Sequence, residues 1–362
     1  MTLTLVEILE GWRAGNSPIQ RDFEQLALWE LADDLRSPAF GITPENAAEV
    51  VRHKADLFFS VINLLHTFPA KSTNFLENLW VLSLPLVMKL SSETQSLKRP
   101  LIQGILGGQG TGKTTLSEVL RLILAKLGYS TVSLSLDDLY KTYADRLKLQ
   151  KEDPRLIWRG PPGTHDIELG ISVLDQLRSN RKQELASVKN IKIPRFDKSA
   201  WGGAGDRISP ENVSDVDIVL FEGWFVGVEP VDELQLNEFL EGAPFPICTE
   251  GDRQFARDMN AKLSDYVPLW NRLDRLIVLY PQDYRVSKVW RNQAEQEMMA
   301  RGKSGMTELE INRFVEYFWK ALHPELFIKS MVARGARVDL AIELKCDRAI
   351  QKIYKSKYRS CQ

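Results

Sequence analysis

The sequence predicts an α/β chain: a mainly parallel central sheet flanked by helices, preceded by an all-helical N-terminal region. Three observations carry this. Residues 1–98 place apolar side chains only at helical spacing. Beyond Pro100 short apolar runs alternate with amphipathic stretches, and a glycine-rich turn joins one such run to one such stretch.

Composition narrows the function classes. Among 362 residues, 47 Lys and Arg stand against 48 Asp and Glu, and 44% are hydrophobic. These values exclude a disordered or fibrous chain. The missing basic surplus argues against a nucleic-acid partner. The length suits two domains, or one large domain with an appendage. Cys248, Cys346 and Cys361 are too few and too scattered for a disulfide framework or a metal site. They read as buried or idle thiols in a reducing cytosol, so a cytoplasmic location is expected. The N-terminus lacks a basic signal-peptide region, and the longest apolar run, Leu79–Met88, contains Ser83 and Pro85. A membrane span needs about 20 apolar residues, so no membrane partner is expected.

In the N-terminal region Phe23, Leu26, Ala27, Leu31 and Leu35 form one helical stripe. Thr43-Pro44 reads as an N-cap and first-turn proline opening a second, with Val50, Val51, Leu57, Phe58, Val61, Ile62 and Leu65. Phe75, Leu76, Leu79 and Trp80 form a third. His53 and His66 sit singly in these stripes and read as packing or surface residues. The polar segment Ser91–Arg99, closed by Pro100, is the expected linker. This divides the chain into a helical region, 1–98, and a second domain, 99–362.

In the second domain the runs Leu101–Leu106, Ser130–Leu136, Asp217–Phe221 and Arg275–Leu279 read as buried parallel strands. Thr307-x-x-Glu310 is a capping box, opening a helix whose Ile311, Phe314, Val315, Phe318, Trp319 and Leu322 share one core face. Val338, Leu340, Ile342 and Leu344 alternate with polar residues, as expected of a half-exposed last strand. The tail with Lys352, Lys355, Lys357 and Arg359 reads as a solvated end.

Chemistry first enters at Gly107-Gly108-Gln109-Gly110-Thr111-Gly112-Lys113-Thr114, followed by Thr115. The pattern is G-x-x-x-x-G-K-[ST], with a strand before it and the helical stretch Lys113–Leu127 after it. Glycines let backbone N–H groups turn inward around phosphates, and the helix N-terminus adds its positive dipole end. Lys113 would reach the β- and γ-phosphates of a nucleotide such as ATP, and the Thr114 hydroxyl would hold Mg²⁺. Glu222, where the run Asp217–Phe221 emerges, supplies the acid that a magnesium shell needs. Asp137 and Asp138, at the end of the second strand with Tyr140 beyond, would face the same crevice. Their proximity should raise at least one pKa, which suits a base.

Arg159, His165, Arg195, Lys198 and Arg207 lie in a loop-rich stretch before the acidic strand, with Asp166, Asp197 and Asp206 among them. Such a crowd of cations suits a small anionic acceptor, and Arg195 and Lys198 are the first candidates to touch it. The segment 284–306 is basic, with Arg285, Lys288, Arg291, Arg301 and Lys303. It reads as a lid over the transferred phosphoryl group, with Arg291 the sharpest candidate.

The phosphate loop, Asp137-Asp138-Leu139-Tyr140 and Leu220-Phe221-Glu222-Gly223 together resemble the uridine kinase, phosphoribulokinase and pantothenate kinase group. Pro162-Gly163-Thr164-His165-Asp166, Ile193–Ser199, Gly205-Asp206-Arg207, Phe221–Gly227 and the lid-like blocks Val289–Glu295 and Gly302–Thr307 resemble the D-glycerate 3-kinase family of plants and cyanobacteria. The resemblance spans roughly residues 100–345 and leaves the N-terminal region without a role. It implies a P-loop kinase fold and transfer of the ATP γ-phosphoryl group to D-glycerate. It further implies that Asp137 is the base and that Asp138 orients the acceptor. Tyr140, His165, Arg195, Asp197 and Lys198 are the further candidate substrate contacts, with His165-Asp166 equally open to being a structural pair that shapes the loop. Leu139 stands where relatives often carry Phe. Two other readings stay open on the residues alone. One is a kinase for a nucleoside or pantothenate, with Trp158, Phe196 and Trp201 available to stack a base. The other is a nucleotide-switched binding protein.

Overall fold

A computed structural model describes residues 3–64, 74–179, 190–300, 305–335 and 337–356. Leu65, His66, residues 301–304 with Arg301 and Lys303, and Lys357, Arg359 and Cys361 lie outside them. In chain order the N-terminal helices are α1 (Leu5–Arg13), α2 (Gln20–Leu31), α3 (Arg36–Ala39), α4 (Ala47–Val61), α5 (Phe75–Asn78) and α6 (Leu84–Ser96). There follow β1 (Leu101–Gly107), α7 (Lys113–Lys126), β2 (Thr131–Ser135), α8 (Tyr143–Glu152), α9 (Ile167–Ser179), β3 (Ile191–Asp197), β4 (Asp206–Val213) and β5 (Ile218–Gly223). The chain closes with α10 (Glu233–Glu241), α11 (Glu250–Lys262), α12 (Val267–Trp270), β6 (Arg275–Pro281), α13 (Val286–Ala300), α14 (Glu308–Ala321), α15 (Ser330–Arg334), β7 (Leu340–Leu344) and β8 (Ile350–Tyr354).

The main sheet has the order β2-β5-β1-β6-β7-β8. All pairs are parallel except β7 with β8. The four expected strands are present; β1, β5 and β6 are covered on both faces, which permits nearly continuous apolar runs, whereas β2, at the sheet edge, alternates buried and half-buried residues. Within β1, Ile102 and Leu106 join the core on one side, and Leu101 and Ile105 join the core on the other. Helices α9, α11 and α14 build the first core. The second is built by α7 together with α1, α4 and α6, so the N-terminal helices wall one face of the sheet.

Several expectations are corrected. The segment expected to be a linker is helical through Ser96, as the last turns of α6. Helix α4 starts at Ala47, because Thr43 and Asn46 form a turn in which the Thr43 N–H donates to Asn46 Oδ1. Leu35 falls beyond α2 and is exposed. His53 is at the surface, in keeping with the packing-or-surface reading, whereas the free thiols of Cys248 and Cys346 are exposed and not buried. Strand β7 is almost wholly buried rather than half-exposed, since it lies between β6 and β8. Part of the expected tail is the antiparallel edge strand β8. The stretch expected to be loops before β5 contains an antiparallel hairpin, β3–β4. No helix among the described residues is long and apolar enough to cross a membrane.

The N-terminal helices enclose an ionic cluster. Glu30 and Lys54 are both fully buried and paired, and the Trp80 indole N–H donates to Glu30 Oε1 at 2.8 Å. Arg36 Nη2 approaches Glu30 Oε2 at 3.4 Å. Burial pushes the Lys54 ammonium down to about 8 despite Glu30 beside it. Removing one partner of such a pair leaves a buried, uncompensated charge. Lys54→Ala is therefore expected to destabilise the protein by roughly 3–5 kcal/mol, read from the shift of the denaturant midpoint.

Candidate active site

Strand β1 is buried throughout and delivers the chain into the turn Gly108–Gly112 at the carboxyl edge of the sheet. Gly110 has φ +78° and Gly112, the N-cap of α7, has φ +84°. A side chain in this left-handed region costs about 1–2 kcal/mol. No side chain caps α7, so its first-turn N–H groups are left for an anion. The Thr111 hydroxyl donates to the Gly108 carbonyl at 2.9 Å and tightens the turn.

The turn is held from outside by a contact that no motif announces. Trp290, on α13, is fully buried against Gly110, and a Cβ on that glycine would overlap the Trp290 Cβ. The Trp290 indole N–H donates to the Cys346 carbonyl at 2.7 Å. Arg348 follows β7 and lies 5.3 Å over the Trp290 ring. It donates through Nε to the Gly110 carbonyl at 2.9 Å. The sequence marks Trp290 only as part of a lid-like block and does not mark Arg348 at all.

Beside the turn, Thr114 Oγ1 donates to Glu222 Oε1 at 3.2 Å, and Lys113 Nζ lies 3.8 Å from Glu222 Oε2. Glu222 is 8% exposed and its Oε2 accepts no hydrogen bond. An under-satisfied carboxylate oxygen next to a hydroxyl is the donor chemistry that a hard divalent cation takes. Among the described residues no cluster of three His, Cys, Asp or Glu could hold a metal alone, so phosphate and water oxygens would have to complete its shell.

Across β5, the chain leaves β2 through a short 3₁₀ turn, Leu136–Leu139, that carries both aspartates. Asp137 Oδ2 pairs with Lys198 at 2.6 Å, and the Tyr140 hydroxyl donates to Asp137 Oδ1 at 2.8 Å. Burial raises the Asp137 carboxyl, but Lys198, Tyr140 and Lys113 outweigh it and hold it at about 2. Asp138 moves the other way, raised by burial against the Ser135 N–H and Arg195. The carboxylate lifted by its surroundings is thus Asp138, and Asp137 is firmly ionised.

The other candidates are distributed unevenly. Arg195 is tied to Asp138 at 3.0 Å, to Glu211 at 2.6 Å and to the Ser133 carbonyl at 3.0 Å. It braces the hairpin against the aspartate turn rather than standing open. Asp197 accepts from the N–H and hydroxyl of Ser199 and caps the hairpin turn. Arg207 pairs with Asp166 at 2.8 Å.

His165 is buried and stacked on Tyr140, and its Nδ1 lies 2.7 Å from the Tyr266 hydroxyl. Burial pulls its pKa down to about 3, so it is neutral at physiological pH. Tyr266, which sequence reasoning missed, also accepts from the Gly163 N–H at 2.9 Å and orders the loop before α9.

The rings that could have stacked a base are engaged elsewhere. Trp158 packs edge-on against Phe314 and Tyr317, and Trp201 stacks on Tyr143. In the lid segment, Arg285 pairs with Asp283, Lys288 with Glu316, and Arg291 with Glu295 at 2.7 Å. The Lys288 pair binds α13 to α14. Thr115 is exposed on the first turn of α7, and Gln109 keeps a buried, unpartnered Oε1 within the phosphate turn.

No family model matches the chain. Comparison with individual proteins does find relatives. An uncharacterized kinase, mug58, of Schizosaccharomyces pombe is 35% identical over 61% of this chain and 79% of its own length. The chloroplastic D-glycerate 3-kinase of Arabidopsis thaliana is 31% identical over 69% of this chain, but the match spans only 53% of the plant protein. Among solved structures, D-glycerate 3-kinase from Cryptococcus neoformans superposes with a TM-score of 0.66 at 28% identity, over 74% of this chain and 96% of that one.

The Gly110 contact yields a direct test. Gly110→Ala forces a side chain into a left-handed turn already filled by Trp290. It is expected to weaken nucleotide binding at least about tenfold while the circular dichroism spectrum is retained, as measured by titration with a fluorescent ADP analogue.

Proposed function

Because this chain belongs to the family of ATP-dependent P-loop kinases that includes D-glycerate 3-kinase, we propose that it phosphorylates the 3-hydroxyl of D-glycerate, giving 3-phospho-D-glycerate. The observation that carries the acceptor reading is the Asp137–Lys198 pair. An ionised carboxylate and a cation from the β3–β4 hairpin meet across β5 from the phosphate turn. A hydroxy acid offers its hydroxyl to the first, and the ammonium beside it favours an anionic molecule at this edge.

In this reading the amides of residues 108–113 cradle the β-phosphate, and Lys113 meets the β- and γ-phosphates. Thr114 and Glu222 would hold Mg²⁺, which when bound neutralises phosphate charge. The acceptor O3 attacks the γ-phosphorus, the bond from that phosphorus to the bridging oxygen breaks, and ADP leaves with the bonding electrons. The proton of O3 passes to Asp137. A carboxylate held at about 2 is a weak base, so the transfer comes late, which suits a loose phosphoryl transition state. Tyr140 fixes one Asp137 oxygen and leaves the other, shared with Lys198, toward the acceptor. Asp138 acts through Arg195 by holding the hairpin in register. Arg291 exchanges Glu295 for the transferred phosphoryl group when the nucleotide is bound. Residues 99–362 carry this chemistry, and the helices of 1–98 serve as the wall of one sheet face.

The function is tested by assaying the purified protein with Mg-ATP against D-glycerate, uridine, pantothenate and ribulose 5-phosphate. Preferential turnover of glycerate is expected. ATP hydrolysis without any acceptor dependence would sink the reading. Lys113→Ala should abolish transfer in a folded protein. Asp137→Asn should lower kcat by about 10²–10⁴-fold, and Asp138→Asn should cost less in kcat and relatively more in the glycerate KM. Steady-state kinetics of the two variants with glycerate would show the reverse order if their roles are exchanged.

A further inference from the structure

The acceptor reading leaves one question of chemistry: which cation receives the carboxylate. Of the cations between β2 and β5 singled out from the sequence, most already have partners. Arg195 is held by two carboxylates, Arg207 by Asp166 and Lys198 by Asp137. His165 is a neutral imidazole bound to Tyr266.

Arg159 differs. Its Nη1 donates to the carbonyls of Gly203 at 2.6 Å and Ala204 at 2.9 Å. Among the described residues its Nε and Nη2 have no hydrogen-bond partner, and no carboxylate lies within ion-pair distance. Arg146 is similar, donating only to the carbonyls of Lys141, Ala204 and Gly205. Both guanidinium groups line one cavity of about 390 Å³, with Thr164 and Gln150 also in its wall. Two half-buried cations with no paired carboxylate, Asp206 reaching Arg146 only through space, are costly, and a bound anion relieves that cost.

The geometry points to Arg159 as the residue that binds the carboxylate of the acceptor, a role that rests on the hydroxy-acid reading above. Tyr140 connects the two ends. Its hydroxyl touches Asp137, and the Arg159 guanidinium lies 5.9 Å from its ring centre and 5.6 Å from that of Phe196. A three-carbon hydroxy acid carries its reacting hydroxyl at one end and its carboxylate at the other. With O3 on Asp137, the molecule runs along Tyr140 and reaches the free edge of Arg159. That edge, Nε with Nη2, is the fork that takes a carboxylate in two parallel hydrogen bonds. Arg146, 5.4 Å from the Phe196 ring centre and bonded to the same Ala204 carbonyl, adds positive potential. Selection for an acid over a neutral polyol then resides in Arg159.

The test compares wild type, Arg159→Ala and Arg159→Lys with D-glycerate and with glycerol, which keeps the hydroxyls and lacks the carboxylate. A charge-assisted contact is worth about 1.5–3 kcal/mol, so Arg159→Ala should raise the glycerate KM roughly 10–100-fold and the ATP KM far less. The preference for glycerate over glycerol should fall by the same factor. Arg159→Lys keeps a cation without the fork and should recover part of the loss, and it serves if the alanine variant does not fold. Equal losses with both acceptors would make Arg159 a mere staple of the hairpin turn. An unchanged glycerate KM would likewise overturn the assignment. Wild-type protein inert toward glycerate would overturn the acceptor reading itself.

Discussion

The packing of Trp290 on Gly110 is the constraint from which the rest of the site follows. A phosphate turn needs left-handed backbone, and left-handed backbone is held only where the surroundings leave no alternative. Here the indole fills the space that a Cβ would take, and Arg348 fixes the neighbouring carbonyl. The indole is itself held by the Cys346 carbonyl. Three distant parts of the chain, the turn after β1, helix α13 and the turn after β7, thus settle one another's positions. A nucleotide meets a turn already shaped, and the entropic cost of ordering the loop is met in folding rather than in binding.

Charge at the carboxyl edge is stored as pairs. Lys113 leans toward Glu222, Lys198 toward Asp137, Arg195 toward Asp138, and Arg291 toward Glu295. Each pair keeps a half-buried ion from standing alone in a region of low dielectric. On the proposed function, substrates would bind by exchange: phosphate oxygens would replace a carboxylate at Lys113, and the acceptor would come between Lys198 and Asp137. Arg146 and Arg159 depart from this pattern, bonding to carbonyls and lying over aromatic rings with no paired carboxylate, and for that reason they have most to gain from an incoming anion. The opposite shifts of Asp137 and Asp138 arise from the same bookkeeping. Asp137 has two cations and a phenol around it, whereas burial outweighs the partners of Asp138.

The N-terminal helices belong to the same economy of burial. A parallel sheet must be covered on both faces. Helix α7 covers only part of the second face, and α1, α4 and α6 close it through one apolar cluster that runs from Leu9 and Trp80 to Ile105 and Ile342. The buried Glu30–Lys54 pair lies within these helices, stacked on Trp80.

What the sequence by itself determined is what local physics dictates. The strands β1, β5 and β6 were legible because a strand buried on both faces is a nearly continuous apolar run, and β2 because Val132 and Leu134 stand in a short stretch bounded by a turn and by charge. The phosphate turn was legible because its glycines, Lys113 and Thr114 are contiguous. Asp137, Asp138 and Glu222 were legible because they sit where strands end. The hairpin was not, since β4 is exposed along most of its length and carries no periodic pattern. Nor was β8, whose short mixed run Ile350–Tyr354 becomes a strand where β7 offers it an edge. Tertiary structure alone decided which charges meet. Arg195 and Arg159 look equivalent as letters, but Arg195 lies 57 residues from the Asp138 that neutralises it, and Arg159 ends among carbonyls 44 and 45 residues away. Ion pairing is set by distance and burial in the folded chain, and neither is written in the local spacing of residues.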